Sequence, residues 1–182
     1  DLFNNIGTIY WKKGENKQAI ENLNTALKIR NEINDKKGIA NSYNVFGAVY
    51  FNIGDYKKAL QSFQKSFEIY NELDSNTGMA QALDNLGVIC SINSNYNLAL
   101  KHYRSSLNLK KKLKDKRGIS IGLSNLGIAY YKLGNYETSL KNYYSALELS
   151  KDLDIKYVIS SSLDNIGIIF RDKDEFLKAT DF

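Results

Sequence analysis

Residues 77–113 read TGMAQALDNLGVICSINSNYNLALKHYRSSLNLKKKL, and this stretch decides the fold. Ala80, Leu83, Leu86, Gly87 and Cys90 fall at helical spacing and make one apolar stripe. Ser94 and Asn95 interrupt it, and a second stripe follows at Tyr96, Leu100, Tyr103, Leu107 and Leu109. Two amphipathic helices joined by so short a break form an antiparallel hairpin.

Outward from this stretch the same signals return every 40 residues. Gly7, Gly47, Gly87, Gly127 and Gly167 make one column, and Tyr10, Tyr50, Cys90, Tyr130 and Phe170 a second. Gly14, Gly54, Ser94, Gly134 and Asp174 occupy the break within each hairpin, and Gly38, Gly78 and Gly118 a fourth column that ends in Val158. A fixed period held along a whole chain marks a solenoid, in which each unit packs mainly on its neighbours. Helices are predicted near 1–13, 16–33, 37–53, 56–73, 77–93, 96–113, 117–133, 136–153 and 157–173, with a partial tenth from about 175.

Local chemistry supports the breaks. Gly54 and Gly134 suit a left-handed helix end, and Asp55, Asn95 and Asn135 suit the N-cap of the helix that follows. The mid-helix glycines need another reason, since each costs roughly 1 kcal/mol against Ala. Small residues at Ala19, Ala59, Ala99, Ser139 and Ala179 suggest close contact of small against small across each hairpin.

Composition agrees. The chain has 182 residues, 43% hydrophobic, with 13 Tyr, 8 Phe and no Pro, where roughly nine prolines would be average. Cys90 is the single cysteine and reads as a small core filler. One cysteine sets no redox compartment. The net charge of +5 includes a run at Lys110, Lys111, Lys112, Lys114, Lys116 and Arg117, which reads as a solvated helix end rather than a nucleic-acid site. No apolar run is long enough to span a membrane, so no membrane contact is expected within this segment.

These columns resemble the tetratricopeptide repeat family, whose pattern places a large residue, Leu-Gly and Tyr on the first helix and Ala followed by an aromatic on the second. Here it reads Tyr43, Phe46, Gly47, Tyr50, Ala59, Phe63, and again Leu123, Leu126, Gly127, Tyr130, Ser139, Tyr143. The resemblance implies an all-α, right-handed superhelix of helix hairpins. The repeats are expected at 1–36, 37–76, 77–116, 117–156 and a partial 157–182, one array of about four and a half within a longer protein. Two departures matter: the usual period is about 34 rather than 40, and the proline after the second helix is missing. The longer form looks like the repeats of kinesin light chains, Pins-type adaptors and bacterial signalling proteins.

What the resemblance implies for function is a protein- or peptide-binding scaffold, the sensory or adaptor part of a signalling protein, with first helices lining a concave face. In kinesin-light-chain-like repeats the Asn before Leu-Gly resembles a ladder that binds a peptide backbone. Here that column is Asn5, Val45, Asn85, Asn125 and Asn165. An Asn amide both donates and accepts, which suits a peptide bond. The alternative is that these amides bridge adjacent helices or face water. Flanking columns, Asn4, Asn44, Asp84, Ser124, Asp164 and Trp11, Phe51, Ser91, Tyr131, Arg171, would set specificity, with packing between repeats as the alternative for the aromatics. The expected contacts are thus Asn5, Asn44, Asp84, Asn85, Asn125, Asp164, Asn165, Phe51 and Tyr131. The basic inner residues of chaperone-binding members are replaced here by Asn, Asp, Ser, Ala, Val and Ile, which argues against capture of a peptide carboxylate.

Catalysis finds no support. His102 is the only histidine and sits on a second helix, Asp84 and Asp164 are two repeats apart, and no Gly-Lys-Ser/Thr follows a glycine loop. No cofactor or metal is expected. The second functional expectation is structural self-association, giving a homo-oligomer through apolar faces of the end repeats. The compartment stays open, with the cytoplasm favoured and the periplasm available to part of a membrane sensor.

Overall fold

The computed structural model describes residues 2–180, with side chains as far as Lys173. Among these residues there are nine helices and no strand: α1 (Leu2–Lys12), α2 (Asn16–Glu32), α3 (Lys36–Ile53), α4 (Tyr56–Glu72), α5 (Asn76–Ile92), α6 (Tyr96–Lys112), α7 (Lys116–Lys132), α8 (Tyr136–Asp152) and α9 (Lys156–Thr180). The all-α, helical-repeat class read from the 40-residue period is the class observed. Eight of the nine predicted helices end within about a residue of their expected limits. The ninth is the exception, because α9 runs unbroken to Thr180 and takes in the start of the expected tenth. Continuing a helix costs no new nucleus, so α9 passes through the expected break. The side chains of Asp174 and Ala179, members of two sequence columns, lie outside the described residues.

Two compact units divide the chain, residues 1–89 and 90–182, and the division falls inside α5. In the first unit α1 packs on α2, α2 on α3, α3 on α4, and α1 also reaches α3. Its core holds Ala19, Leu23, Phe46 and Val49, with a second cluster of Ala59, Phe63, Leu86 and Ile89. In the second unit α7 packs on α6, α8 on α7, and α9 on both α8 and α7. Its core holds Tyr143, Leu147, Ile166 and Ile169, with Ala146, Ile155 and Val158 beside them. Cys90 is buried as expected, and burial pushes its thiol pKa up.

Every break between helices is one and the same turn, repeated at 20-residue intervals. The left-handed residue is Gly14, Gly54 or Gly134 within a hairpin, joined by Ser94, and Asn34, Asp74, Lys114 or Asp154 between hairpins. In each case the next N–H reaches back to a carbonyl five residues earlier, as Asp55 does to Tyr50 at 2.9 Å and Asp115 to Lys110 at 3.0 Å. That 6→1 bond closes the ending helix. The same residue then starts the next helix. The side chains of Asp35, Asp55, Asn95, Asp115 and Asn135 accept the N–H three residues on. One residue therefore satisfies orphan groups of two helices. The turns within hairpins were legible from glycine. Those between hairpins were not, because Asn, Asp and Lys take the left-handed conformation there.

The mid-helix glycines correct a sequence expectation. A Cβ added at Gly47 would lie 2.5 Å from the Phe63 ring, and one at Gly127 would lie 2.7 Å from the Tyr143 ring. The bare backbone thus seats the large residue of the second helix, not chiefly the small one four positions earlier. The small residue still matters: Ser139 Oγ donates to the Gly127 carbonyl at 2.7 Å. Gly167 differs, with nothing among the described residues within 4 Å of an added Cβ.

Two members of one column should therefore respond to substitution with opposite signs. Gly127→Leu should destabilise by about 1–3 kcal/mol or more, because the ring of Tyr143 cannot retreat from a fully buried site. Gly167→Ala should stabilise by up to about 1 kcal/mol, the helix-propensity gain alone. Thermal and urea unfolding of both variants measure the difference; a loss of stability in Gly167→Ala would contradict the open contact.

Candidate functional site

A groove of about 470 Å³ opens on the first-helix side of the first unit. It is lined by Thr8 and Trp11 of α1, by Asn44, Val45, Ala48, Phe51 and Asn52 of α3, by Phe63 of α4, and by Gln81, Asn85 and Val88 of α5. The placement follows from helical spacing. Asn44, Ala48 and Phe51 stand at i, i+4 and i+7 on one face, as do Gln81, Asn85 and Val88 on the neighbouring first helix. The opposite faces of α3 and α5 carry Phe46, Val49, Leu86 and Ile89 into the core.

Three of the residues singled out from sequence, Asn44, Phe51 and Asn85, meet in this groove. Asn85 Nδ2 donates to Asn44 Oδ1 at 2.8 Å, a bridge from α5 to α3. The pair keeps the Asn44 amide N–H groups and the Asn85 carbonyl oxygen for other uses. Phe51 packs edge-on against Tyr56, with ring centroids 5.7 Å apart. Trp11 forms one wall, and its Nε1 is buried without a hydrogen-bond partner among the described residues. Asn5 is exposed and lies outside the groove, and Asp84 is half-buried.

In the second unit the equivalent positions behave differently. Asn125 is half-buried and Asp164 exposed. Asn165 Nδ2 turns back to its own helix, donating to the Ser161 carbonyl at 2.7 Å. Tyr131 donates its hydroxyl to Asp172 Oδ2 at 2.5 Å and packs against Tyr136. That hydrogen bond raises the Tyr131 phenol pKa and holds the Asp172 carboxyl below its usual range.

Sequence columns compare one position across repeats, so they missed groove residues defined by spacing within a repeat, namely Thr8, Ala48, Asn52, Gln81 and Val88. They also missed a buried polar network. Arg30 is only 4% exposed, and its Nη1 donates to Asn4 Oδ1 at 2.9 Å, to the Gly38 carbonyl at 2.7 Å and to Ser42 Oγ at 2.6 Å. Asn4 therefore serves structure, one residue from the exposed Asn5. The column of Arg30 continues as Tyr70, Lys110 and Ser150, all buried. Lys110, read from sequence as part of a solvated run, lies against α7 near Gly118 and Gly122. Its long methylene stem explains how a lysine packs there.

Among the described residues no group of three His, Cys, Asp or Glu could hold a metal ion, and no helix is long and apolar enough to cross a membrane. His102 is half-buried, and desolvation with nearby Lys101 lowers its pKa.

A family model described as tetratricopeptide repeat matches residues 1–72, 38–112 and 78–152. No curated protein matches the chain at a significant level. Among solved structures, aspartyl phosphate phosphatase F from Bacillus subtilis is similar, with 15% identity and a TM-score of 0.89 over 95% of this chain and 45% of that one. A Rap protein complexed with competence and sporulation factor is similar at 17% identity and a TM-score of 0.79, over 98% of this chain and 50% of that one. The nearly identical TPR-like repeats of a putative kinesin light chain from Podosopora anserina match at 11% identity and a TM-score of 0.77, over 98% of this chain and 89% of that one. At such identities the likeness establishes the fold. The chain spans half or less of the phosphatase and of the Rap protein.

The Arg30 network should be costly to break. Arg30→Met removes one charged donor and strands the oxygens of Asn4 and Gly38, which should destabilise by about 3 kcal/mol. Lys36→Met breaks the exposed Lys36–Glu72 pair and should change stability by less than about 0.5 kcal/mol. Urea titration of the two variants side by side tests the contrast.

Proposed function

Because the chain belongs to the tetratricopeptide repeat family, we propose that it is a non-catalytic scaffold, the sensory or adaptor region of a larger signalling protein, which holds an extended peptide or protein segment on its first-helix face. The observation that carries this reading is the groove of the first unit, where Asn44, Asn85 and Phe51 converge from α3 and α5. Backbone capture falls to the free groups of the Asn44–Asn85 pair, with Phe51 selecting a side chain. In the second unit the corresponding roles fall to Asn125 and Tyr131, and to the exposed Asp164. Asn165, whose amide N–H serves its own helix, would contribute its remaining oxygen. One protein of the same fold, the Rap protein complexed with competence and sporulation factor, supports the reading by analogy.

A second reading, self-association, is favoured by one specific observation. On α9, Leu163 is 51% exposed and Phe170 47%. On α1, Leu2 and Ile9 are exposed as well. Apolar faces of this kind suit a helix from a second copy.

A peptide-array screen followed by pull-down separates the two. Asn44→Ala and Phe51→Ala should each weaken capture of a selected peptide about tenfold, while Lys36→Ala leaves capture unchanged. Circular dichroism must show all variants folded. Undiminished capture in every groove variant would sink the scaffold reading as stated. A mass twice that of one chain by light scattering, reduced to one chain by Leu163→Glu, would favour self-association.

A further inference from the structure

The groove of the first unit carries a chemical preference that the scaffold reading alone does not specify. None of its eleven lining residues is charged, although 25% of the chain is Asp, Glu, Lys or Arg and the net charge is +5. Its walls are Trp11, Val45, Ala48, Phe51, Phe63 and Val88, and its polar groups are amides and one hydroxyl. The contrast with the second-helix side of the same unit is sharp. There a larger groove of about 560 Å³ carries Lys58, Lys65 and Glu68. Its tyrosine faces are already occupied, since the Lys58 ammonium sits 5.3 Å from the Tyr50 ring centroid and that of Lys65 sits 5.1 Å from Tyr43. The first-helix groove has no such internal occupant.

The polar groups around the groove fall into two sets. Trp11 Nε1 is a buried donor with no acceptor among the described residues. Buried indole N–H groups ordinarily find a partner, and one left without is an exception that asks for a reason. Nearby, Asn85 Nδ2 is spent on Asn44 Oδ1, which leaves donors on Asn44 and an acceptor on Asn85. A donor at Asn44 with an acceptor at Asn85 matches the needs of a peptide backbone. A charged side chain entering between these walls would shed its water and meet no counter-charge, whereas an apolar one loses nothing.

We infer that this groove selects a segment presenting an uncharged apolar side chain, aromatic or branched aliphatic, whose adjoining peptide groups bond to the Asn44–Asn85 pair. The inference rests on the scaffold reading above and narrows it to one class of ligand. It discriminates against acidic and basic segments alike, so the chain's positive charge plays no part in selection at this face.

Trp11 is the only tryptophan in the chain, so its emission reports this groove directly. The probe is a set of synthetic heptapeptide pools, each fixed at its central residue and randomised elsewhere, titrated while Trp11 fluorescence and bead capture are read together. Pools fixed as Phe, Leu or Ile should shift the Trp11 emission and bind at least about tenfold more tightly than pools fixed as Asp, Glu, Lys or Arg. Val45→Lys, which places a cation in the wall, should move preference toward the Asp and Glu pools; the same inversion by Val45→Asp toward Lys and Arg pools guards against a folding artefact. Equal or stronger binding of charged pools would overturn the inference and leave the scaffold reading standing. So would pools that are captured while Trp11 emission stays still and Phe51→Ala has no effect. Failure to capture any pool would overturn both.

Discussion

The contact on which the rest of the structure depends is a ring lying on bare backbone. Phe63 rests on Gly47 and Tyr143 on Gly127, and no Cβ could stand between them. This sets how closely the two helices of a hairpin approach. Once that spacing is fixed, the first helix is committed on one face to its own partner, and the residues a third of a turn away are left to line the groove. The glycine costs helix propensity, which the burial of a whole aromatic side chain more than offsets. Ser139 adds a hydrogen bond from the second helix to the carbonyl of that same glycine. At Gly167 no described residue lies within 4 Å of an added Cβ, and Leu163 and Phe170 on the same helix are exposed.

Much of this was legible in the sequence. The 40-residue columns named the helices, the turns within hairpins and the core positions, because the period repeats each signal several times. What stayed hidden has physical causes. A Gly column says that something comes close, but not whether it is a small residue or a ring. The turns between hairpins use Asn34, Asp74, Lys114 and Asp154, residues whose left-handed conformation no single-residue rule announces. The Arg30 network has no periodic signature either, since the same position holds Tyr70, Lys110 and Ser150 elsewhere. At the candidate site, the columns pointed to Asn44, Asn85 and Phe51, which do share a groove. They could not reveal that Asn85 spends its amide on Asn44, or that Asn165 spends its own on Ser161. Such choices depend on rotamers.

Charge is distributed by face. On the second-helix side of the first unit, lysines cover tyrosine rings and pair with acids, as Lys58 does with Asp55. On the first-helix side the groove is neutral. A solenoid layer exposes both helices of each hairpin, so it can keep one side wet and ionic and the other dry enough for selective contact. That separation arises because charged residues concentrate on the helices whose outer faces meet no other layer.

The shared turn has a consequence for how such a chain can change length. Since the turns within and between hairpins have the same geometry, a duplication or deletion of 20 residues would leave every turn intact. It would nonetheless exchange the roles of all helices downstream, setting glycine faces where rings belong and rings where glycines belong. Only steps of 40 preserve both turn and face. The backbone thus tolerates growth by single helices, while the side chains permit it only in pairs, and lineages carrying this repeat should differ in length by whole hairpins.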